Sequence, residues 1–403
     1  MASLLLTLLA THLASAPAVE SGVDSGLEVV QNRVREMFMV LAKESSSPRA
    51  CAEVFAELTD LNGEEVAALA PFLNHRDPQL RAEAVFARII NDSEEGEHFA
   101  LEVLRGTETG SPALVAAMRG LAWKKSPRGR IEAVRRLQTA EGSLLLEIFD
   151  FLEIDPRDDD IPYLIKVLER KLGGRAEGKA IALLREMTGY RMANNVESWR
   201  YWYRYHKATG TPFYREARPE ESEEWTITYF GIPIYGKDVV FVLDTSGSMS
   251  APMEERRPGS RGEIAIREID ELLPRLPADG SFGLVSFAGE VRCLSSSMLA
   301  KSTAGLARAS QWMGSRSFGG GTNLHAGLLR ALEFDAAEEI ILLSDGDPSV
   351  GVRNTDEIVL AVSNANRWRN LRISAVGVGV SSRQRRFLNQ LTTRNDGDLV
   401  LLR

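Results

Sequence analysis

The chain has 403 residues, 44% of them apolar and 26% charged, the make-up of an ordinary globular protein of two or three domains. Its 33 Gly and 16 Pro exclude collagen-like and low-complexity classes, two Cys exclude a disulfide scaffold or Cys-rich zinc framework, and five His speak against a multi-histidine metal site. The net charge of −8 lies entirely on residues 1–235, because residues 236–403 carry 20 basic and 20 acidic side chains, so neither part looks like a nucleic-acid binder or a lipid-binding surface.

The chain opens on a short apolar run, Leu4–Ala14, followed by the small-x-small patterns Ala14-Ser15-Ala16 and Ala16-Pro17-Ala18. This pattern predicts an export signal over residues 1–18, with cleavage after Ala18, although no Lys or Arg precedes the run. No Cys follows soon enough to anchor a lipid, and no apolar run reaches the 18 residues of a spanning helix. Cys51 and Cys293, 242 positions apart, are read as free, buried thiols.

Residues 27–207 read as helix after helix. In Leu27–Lys43, Val29, Val30, Val34, Met37, Phe38 and Leu41 recur at a spacing of three or four, which makes one apolar face. Similar periods predict helices over Ala50–Leu61, Glu64–Leu73, Pro78–Ile90, Glu97–Leu104, Pro112–Leu121, Gly129–Leu137, Leu144–Leu152, Pro162–Leu172 and Arg175–Thr188. The breaks carry Pro, Gly, Asp or Asn, as in Asp77-Pro78, Ser111-Pro112 and Gly173-Gly174. Such a succession predicts a stack of helix pairs, with an irregular bundle as the alternative. The segment Arg76-Asp77-Pro78-Gln79-Leu80-Arg81-Ala82-Glu83-Ala84-Val85 resembles the second helix of a HEAT-type repeat.

Asn195–His206 follows with Trp199, Trp202, Tyr203 and Tyr205. Carbohydrate or peptide binding is one use of so many rings. Packing of one helix face, through Trp199, Trp202 and Tyr203, is the simpler one. Residues 208–235, with Thr209-Gly210-Thr211-Pro212 and an acidic run at 220–224, read as a linker.

From residue 236 the pattern becomes strand–helix alternation. Asp238–Asp244, Glu339–Ser344 and Arg372–Val380 are continuous apolar runs of the kind a strand buried on both faces shows. Ser281–Ala288, Glu290–Leu294 and Asp398–Leu402 complete the strands. Helical periods cover Arg261–Leu276, Thr303–Met313, Asn323–Phe334, Asp356–Arg369 and Ser382–Thr392. The expected fold class is α/β: a doubly wound, mainly parallel sheet in residues 236–403, preceded by an all-α domain. The short 290–294 strand is the expected antiparallel exception.

Ligands bind at the carboxyl ends of strands in such sheets. Asp244-Thr245-Ser246-Gly247-Ser248 leaves the first strand there. The loop Gly319-Gly320-Gly321-Thr322 and the segment Ser344-Asp345-Gly346-Asp347 reach the same edge. Asp244, Ser246, Ser248, Thr322 and Asp345 thus bring oxygen donors together, a set suited to a hard cation: Mg²⁺, or Mn²⁺ or Ca²⁺. Three of the donors are neutral hydroxyls, which do not cancel the ion's charge; if the two carboxylates stay partly behind water, the ion remains electrophilic and open to an external carboxylate. Asp347, Glu254 and Glu255 are possible auxiliary ligands that read more simply as solvated loop acids.

This arrangement resembles the metal-ion-dependent adhesion site of von Willebrand factor A domains: Asp-x-Ser-x-Ser, a distant Thr and a distant Asp-Gly, here Asp244-x-Ser246-x-Ser248, Thr322 and Asp345-Gly346. The resemblance covers residues 236–403. It implies that Ser246, Ser248 and Thr322 ligate the metal directly, that Asp244 and Asp345 act directly or through water, and that a partner protein's Asp or Glu takes the sixth position. The family usually adds a helix after the last strand. The sequence stops at Arg403, just after the last strand, which puts a piston-like switch through such a helix in doubt. The resulting expectation is an exported, non-catalytic recognition module. One rival is a metal-assisted hydrolase using Ser246 or Ser248 with His325 and Asp345, although the sequence lacks a Gly-x-Ser-x-Gly nucleophile elbow and a P-loop. The other rival is a metal-independent scaffold whose helical part binds partners.

Overall fold

The computed structural model describes residues 24–43, 47–106, 111–190, 192, 195–209, 227–252, 259–345 and 347–402. The expected export signal, most of the expected linker, and Glu254 and Glu255 lie outside them.

The helical part runs α1 (Asp24–Ala42), α2 (Pro48–Glu57), α3 (Gly63–Ala67), α4 (Pro78–Asn91), α5 (Gly96–Arg105), α6 (Pro112–Trp123), α7 (Pro127–Arg136), α8 (Gly142–Ile154), α9 (Ile161–Glu169), α10 (Gly174–Thr188) and α11 (Val196–Thr209). One local signal starts four of them. Ser47, Asp77, Ser111 and Ser126 each cap a helix by accepting a backbone N–H, and a proline occupies the first helical position. The side chain satisfies a donor the helix cannot, and proline lacks the N–H that would be orphaned there.

Helices in this region pack mostly on those one or two places along the chain: α4 on α5 and α6, α6 on α8, α9 on α10 and α11. That mostly local pattern is the one stacked helix pairs make, so the HEAT-like reading fits the packing. Trp199 and Trp202 of α11 are buried in the helical core, with Tyr203 packed against it, so this aromatic face is core rather than a binding platform.

Within the stretch expected to be linker, residues 227–235 are ordered into a hairpin, β1 (Thr228–Tyr229) with β2 (Ile232–Pro233). Tyr229, Ile232 and Ile234 are buried in the core beneath the following sheet. The turn places Phe230 and Gly231 at positive φ, where glycine is at ease and phenylalanine is not.

The α/β part runs β3 (Asp238–Asp244), α12 (Arg261–Leu272), β4 (Ser281–Phe287), β5 (Val291–Cys293), β6 (Leu299–Ala300), α13 (Thr303–Gly314), α14 (Leu324–Leu332), β7 (Glu339–Ser344), α15 (Thr355–Asn366), β8 (Arg372–Val378), α16 (Ser382–Thr393) and β9 (Leu399–Leu402). The sheet order is β5-β4-β3-β7-β8-β9, with β6 also on β4. The pairs β4–β3, β3–β7, β7–β8 and β8–β9 are parallel, and β5 and β6 are antiparallel to β4. Alternate residues of β3 enter opposite cores: Val239, Phe241 and Leu243 one, Val240 and Val242 the other. Helices cover both faces, which is why these strands carry no polar alternation. Cys51 and Cys293 are free, as expected, but half-buried rather than fully buried.

The two parts share an interface. Trp368, in the turn from α15 to β8, is buried in the core of the helical part, and its Nε1–H donates to Glu83 Oε1 at 2.7 Å. Arg119 donates to the Arg367 carbonyl at 2.8 Å and to Asn370 Oδ1 at 3.0 Å. Arg175 donates to the Asn370 carbonyl and to Asp396. α2 also lies along α15, where Asn364 Nδ2 donates to the Pro48 carbonyl.

Candidate metal centre

β3 lies between β4 and β7, so the crossover to β4 and the later return to β7 fall on opposite sides of it. The carboxyl end of such a central strand opens a crevice between the loops that follow it. The parallel register pairs Leu243 with Leu343, which brings the strand ends Asp244 and Ser344 side by side.

Asp244 is almost fully buried. Its Oδ1 accepts the Ser246 backbone N–H at 2.9 Å, and its Oδ2 accepts the Ser344 hydroxyl at 2.6 Å. Burial pushes its carboxyl up to about 6; hydrogen bonds from Ser246 and Ser344 oppose the rise, and the nearby Asp345 charge adds to it. Ser246 Oγ and Ser248 Oγ are 3.1 Å apart. Ser246 is buried and Ser248, in the 3₁₀ turn Gly247–Ser250, is exposed. The site therefore grades from a dry carboxylate to a wet hydroxyl.

The loop carrying Thr322 is stitched to this turn through backbone bonds. Gly319 N–H donates to the Thr245 carbonyl at 2.9 Å, and Gly247 N–H donates to the Gly320 carbonyl at 3.2 Å. Gly320 has φ +81°, a left-handed conformation glycine adopts without cost. Buried Thr322 is in turn tied to the loop after Asp345. Its N–H donates to Ser349 Oγ at 2.8 Å, and its carbonyl accepts from Ser349 and Val350 at 3.0 and 3.2 Å. All five expected residues thus sit on three loops that are hydrogen-bonded to one another.

Asp345 carries the most telling feature. It is 7% exposed, and its Oδ1 is buried without a hydrogen-bond partner. A buried carboxylate oxygen left bare costs the desolvation of a charged acceptor unless something else meets it. Two neighbouring carboxylates and clustered hydroxyl oxygens are a donor set that a hard cation could meet. Among the described residues no group of three or more His, Cys, Asp or Glu could hold a metal, so any ion here depends on the hydroxyls.

Sequence reasoning missed three supporting residues. Ser344 orients Asp244, and Ser349 joins the Thr322 loop to the Asp345 loop. Arg261 reaches the site edge, with Nη1 4.0 Å from Asp345 Oδ2. Its guanidinium lies against Gly379, where a Cβ would fall 2.2 Å from Nη2. Ser344 could have been suspected as a hydroxyl closing an otherwise apolar strand; nothing in the linear sequence marks Arg261. Asp347 is exposed, as a solvated loop acid would be. His325 is half-buried on α14, and desolvation holds its imidazole below the usual value.

Residues 239–347 match the family model described as the von Willebrand factor type A domain. Inter-alpha-trypsin inhibitor heavy chain H1 of Sus scrofa is 32% identical over 145 residues, 33% of this chain and 15% of that protein. Heavy chain H4 of Homo sapiens is 32% identical over 180 residues, 41% of this chain and 18% of that protein. The chain thus matches less than a fifth of the length of these relatives. Among solved structures, a von Willebrand factor type A protein from Catenulispora acidiphila aligns with TM-score 0.36 and 19% identity over 41% of this chain and 38% of that one. The protein BatB from Bacteroides thetaiotaomicron aligns with TM-score 0.33 and 21% identity over 41% of this chain and 89% of that one.

Proposed function

We propose, on the premise that residues 236–403 form a von Willebrand factor type A domain, that this domain binds a divalent cation and through it a carboxylate of a partner protein. The observation that carries the reading is the partnerless buried Oδ1 of Asp345, beside Asp244 and the Ser246–Ser248 hydroxyl pair. Ser246, Ser248 and Thr322 supply neutral oxygens. Asp244 and Asp345 balance the charge, and Ser344 fixes the rotamer of Asp244. The bound ion, Mg²⁺ or one of its relatives Mn²⁺ and Ca²⁺, supplies an electrophilic position that an Asp or Glu of another protein can fill.

Recognition is favoured over hydrolysis by one detail. A Ser-His-Asp relay needs a carboxylate oxygen accepting from the imidazole, and among the described residues no hydrogen bond joins His325 to Asp345, whose Oδ1 accepts nothing and whose Oδ2 lies 4.0 Å from Arg261 Nη1. The apolar run at residues 4–14 supports an exported working compartment, and no described helix is long and apolar enough to cross a membrane. The helical part serves as a rigid mount, held to the domain at the edge of the sheet away from the metal loops.

The test is a peptide array bearing single Asp or Glu residues, probed with the protein in Mg²⁺ and again in EDTA. Capture of acidic peptides that EDTA abolishes is the expected result. Capture indifferent to EDTA favours a metal-independent scaffold instead.

A further inference from the structure

Arg261 opens α12, anchored by its backbone N–H to the Ala251 carbonyl at 2.9 Å. Ser260 and Glu263 form a reciprocal capping box around it, so the start of the helix is fixed rather than frayed. From there the side chain crosses the carboxyl edge of the sheet to Asp345. It is 21% exposed and sits 4.0 Å from Oδ2. Gly379, at φ +60°, leaves the space the guanidinium occupies: a Cβ there would lie 2.2 Å from Nη2 and 2.7 Å from Cζ. Any side chain at 379 would push the arginine off the site. The guanidinium lies toward one oxygen of Asp345, while the other, Oδ1, is the buried atom with no partner.

The charges then decide what this arrangement is for. Asp244 and Asp345 contribute two negative charges, which a divalent ion cancels. A site of five oxygen donors alone is therefore neutral when loaded, with only local electrophilicity to attract an anion. Arg261 adds a fixed positive charge at its rim. An arginine's planar fork matches a carboxylate, and it stays charged at any working pH.

We propose that Arg261 is the specificity-determining residue of the site: a built-in cation that gives the loaded centre a net positive charge and holds the partner's carboxylate jointly with the metal. This rests on the metal reading above. Arg261 acts on the incoming acid rather than on the ion, which it repels as a like charge. Its removal therefore separates the two affinities in opposite directions, a result that a purely structural arginine would not give.

The experiment uses the full chain, Mn²⁺ and acetate. Calorimetry gives the Mn²⁺ affinity. Relaxation of the acetate methyl protons by bound Mn²⁺ gives the acetate affinity, with circular dichroism as a check on folding. In Arg261→Gln, Mn²⁺ is expected to bind at least as tightly as in wild type, while acetate binding weakens roughly fivefold, the scale of a partly exposed ion pair. Arg261→Lys, which keeps the charge but loses the planar fork, is expected to recover part of the acetate affinity. Unchanged acetate binding in Arg261→Gln overturns the proposal. So does a parallel loss of Mn²⁺ affinity, which would make Arg261 a support for Asp345. Wild-type protein that binds Mn²⁺ but not acetate also overturns it, yet leaves the metal site standing. Wild-type protein that binds no Mn²⁺ overturns the metal reading, and this proposal with it.

Discussion

Ser344, the last residue of β7, donates its hydroxyl to Oδ2 of Asp244, the last residue of β3, at 2.6 Å. Both are buried, and the bond exists because the parallel register brings the two strand ends level. It fixes which carboxylate oxygen is occupied and so how Asp244 faces the loops. Supporting bonds of this kind typically change metal affinity by about 10–100-fold. Ser344→Ala is expected to weaken Mg²⁺ or Mn²⁺ binding within that range, and to lower stability by about 1 kcal/mol. Calorimetry and urea denaturation of the same variant check both.

Trp368 joins the two parts of the chain. Its ring lies in the helical core, with Arg119 4.8 Å from the ring centroid and Phe86 at 5.6 Å. Truncating a buried Trp costs about 3–5 kcal/mol, and here the loss falls on the junction. Trp368→Ala is expected to split a joint denaturation curve into two transitions, read by circular dichroism and by limited proteolysis between the parts.

Glu83, on the helical side of that junction, is 5% exposed. Burial pushes its carboxyl up to about 7 despite Arg367, the Trp368 N–H and Arg119. Glu339, at the start of β7, is pushed up to about 7 by burial, against the pull of Arg372. A folded-state value above the unfolded one means the native state keeps a proton that the unfolded chain has released. The associated stability is therefore full below about 4.5 and declines as pH rises to about 7. Glu83→Gln is expected to flatten the part of this slope that belongs to the junction, and Glu339→Gln the part that belongs to the sheet. Urea midpoints measured between pH 5 and 8 provide the check.

Gly262 admits the ring of Phe318, whose Cε1 would lie 2.0 Å from a Cβ at that position. Phe318 begins the loop that leads to Thr322, so this contact seats one of the proposed metal donors. Gly262→Ala is expected to cost about 1–3 kcal/mol of stability, as overpacking does. It should also weaken metal binding, because the 318–322 loop must shift. A stability loss without any change in metal affinity would separate the ring from the site.

Much of this was legible in the sequence, for reasons that are local. β3 and β7 have the bounds expected of them because a strand buried on both faces writes itself as an uninterrupted apolar run. The Ser/Asp-Pro starts marked α4 and α6 at their first residue. The five candidate metal-site residues could be brought to one edge from the sequence because each lies beside a strand end or a glycine turn.

What was not legible depends on distance or brevity. The 227–235 hairpin has two residues per strand, too few to show alternation. The expected helix Glu64–Leu73 regularly ends at Ala67, although apolar residues continue at helical spacing; Pro71 cannot donate the backbone bond that would extend it. Glu83 and Trp368 are 285 positions apart, and Arg261 is 84 from Asp345 by residue number. No period links such pairs, and only the fold brings them together.

The most direct measurement is calorimetric titration of Mg²⁺, Mn²⁺ and Ca²⁺ into the wild-type chain and into Asp345→Ala, with the metal-free melting temperature of both. Asp345→Ala removes a buried oxygen that has no hydrogen-bond partner and gives up only the 4.0 Å approach of Arg261 to the other oxygen, so its cost to the metal-free protein should be small. The account predicts one bound ion in the wild type, none in Asp345→Ala, and a metal-free melting temperature in the variant close to or above that of the wild type. Failure of all three ions to bind the wild type, or undiminished binding in the variant, would contradict it.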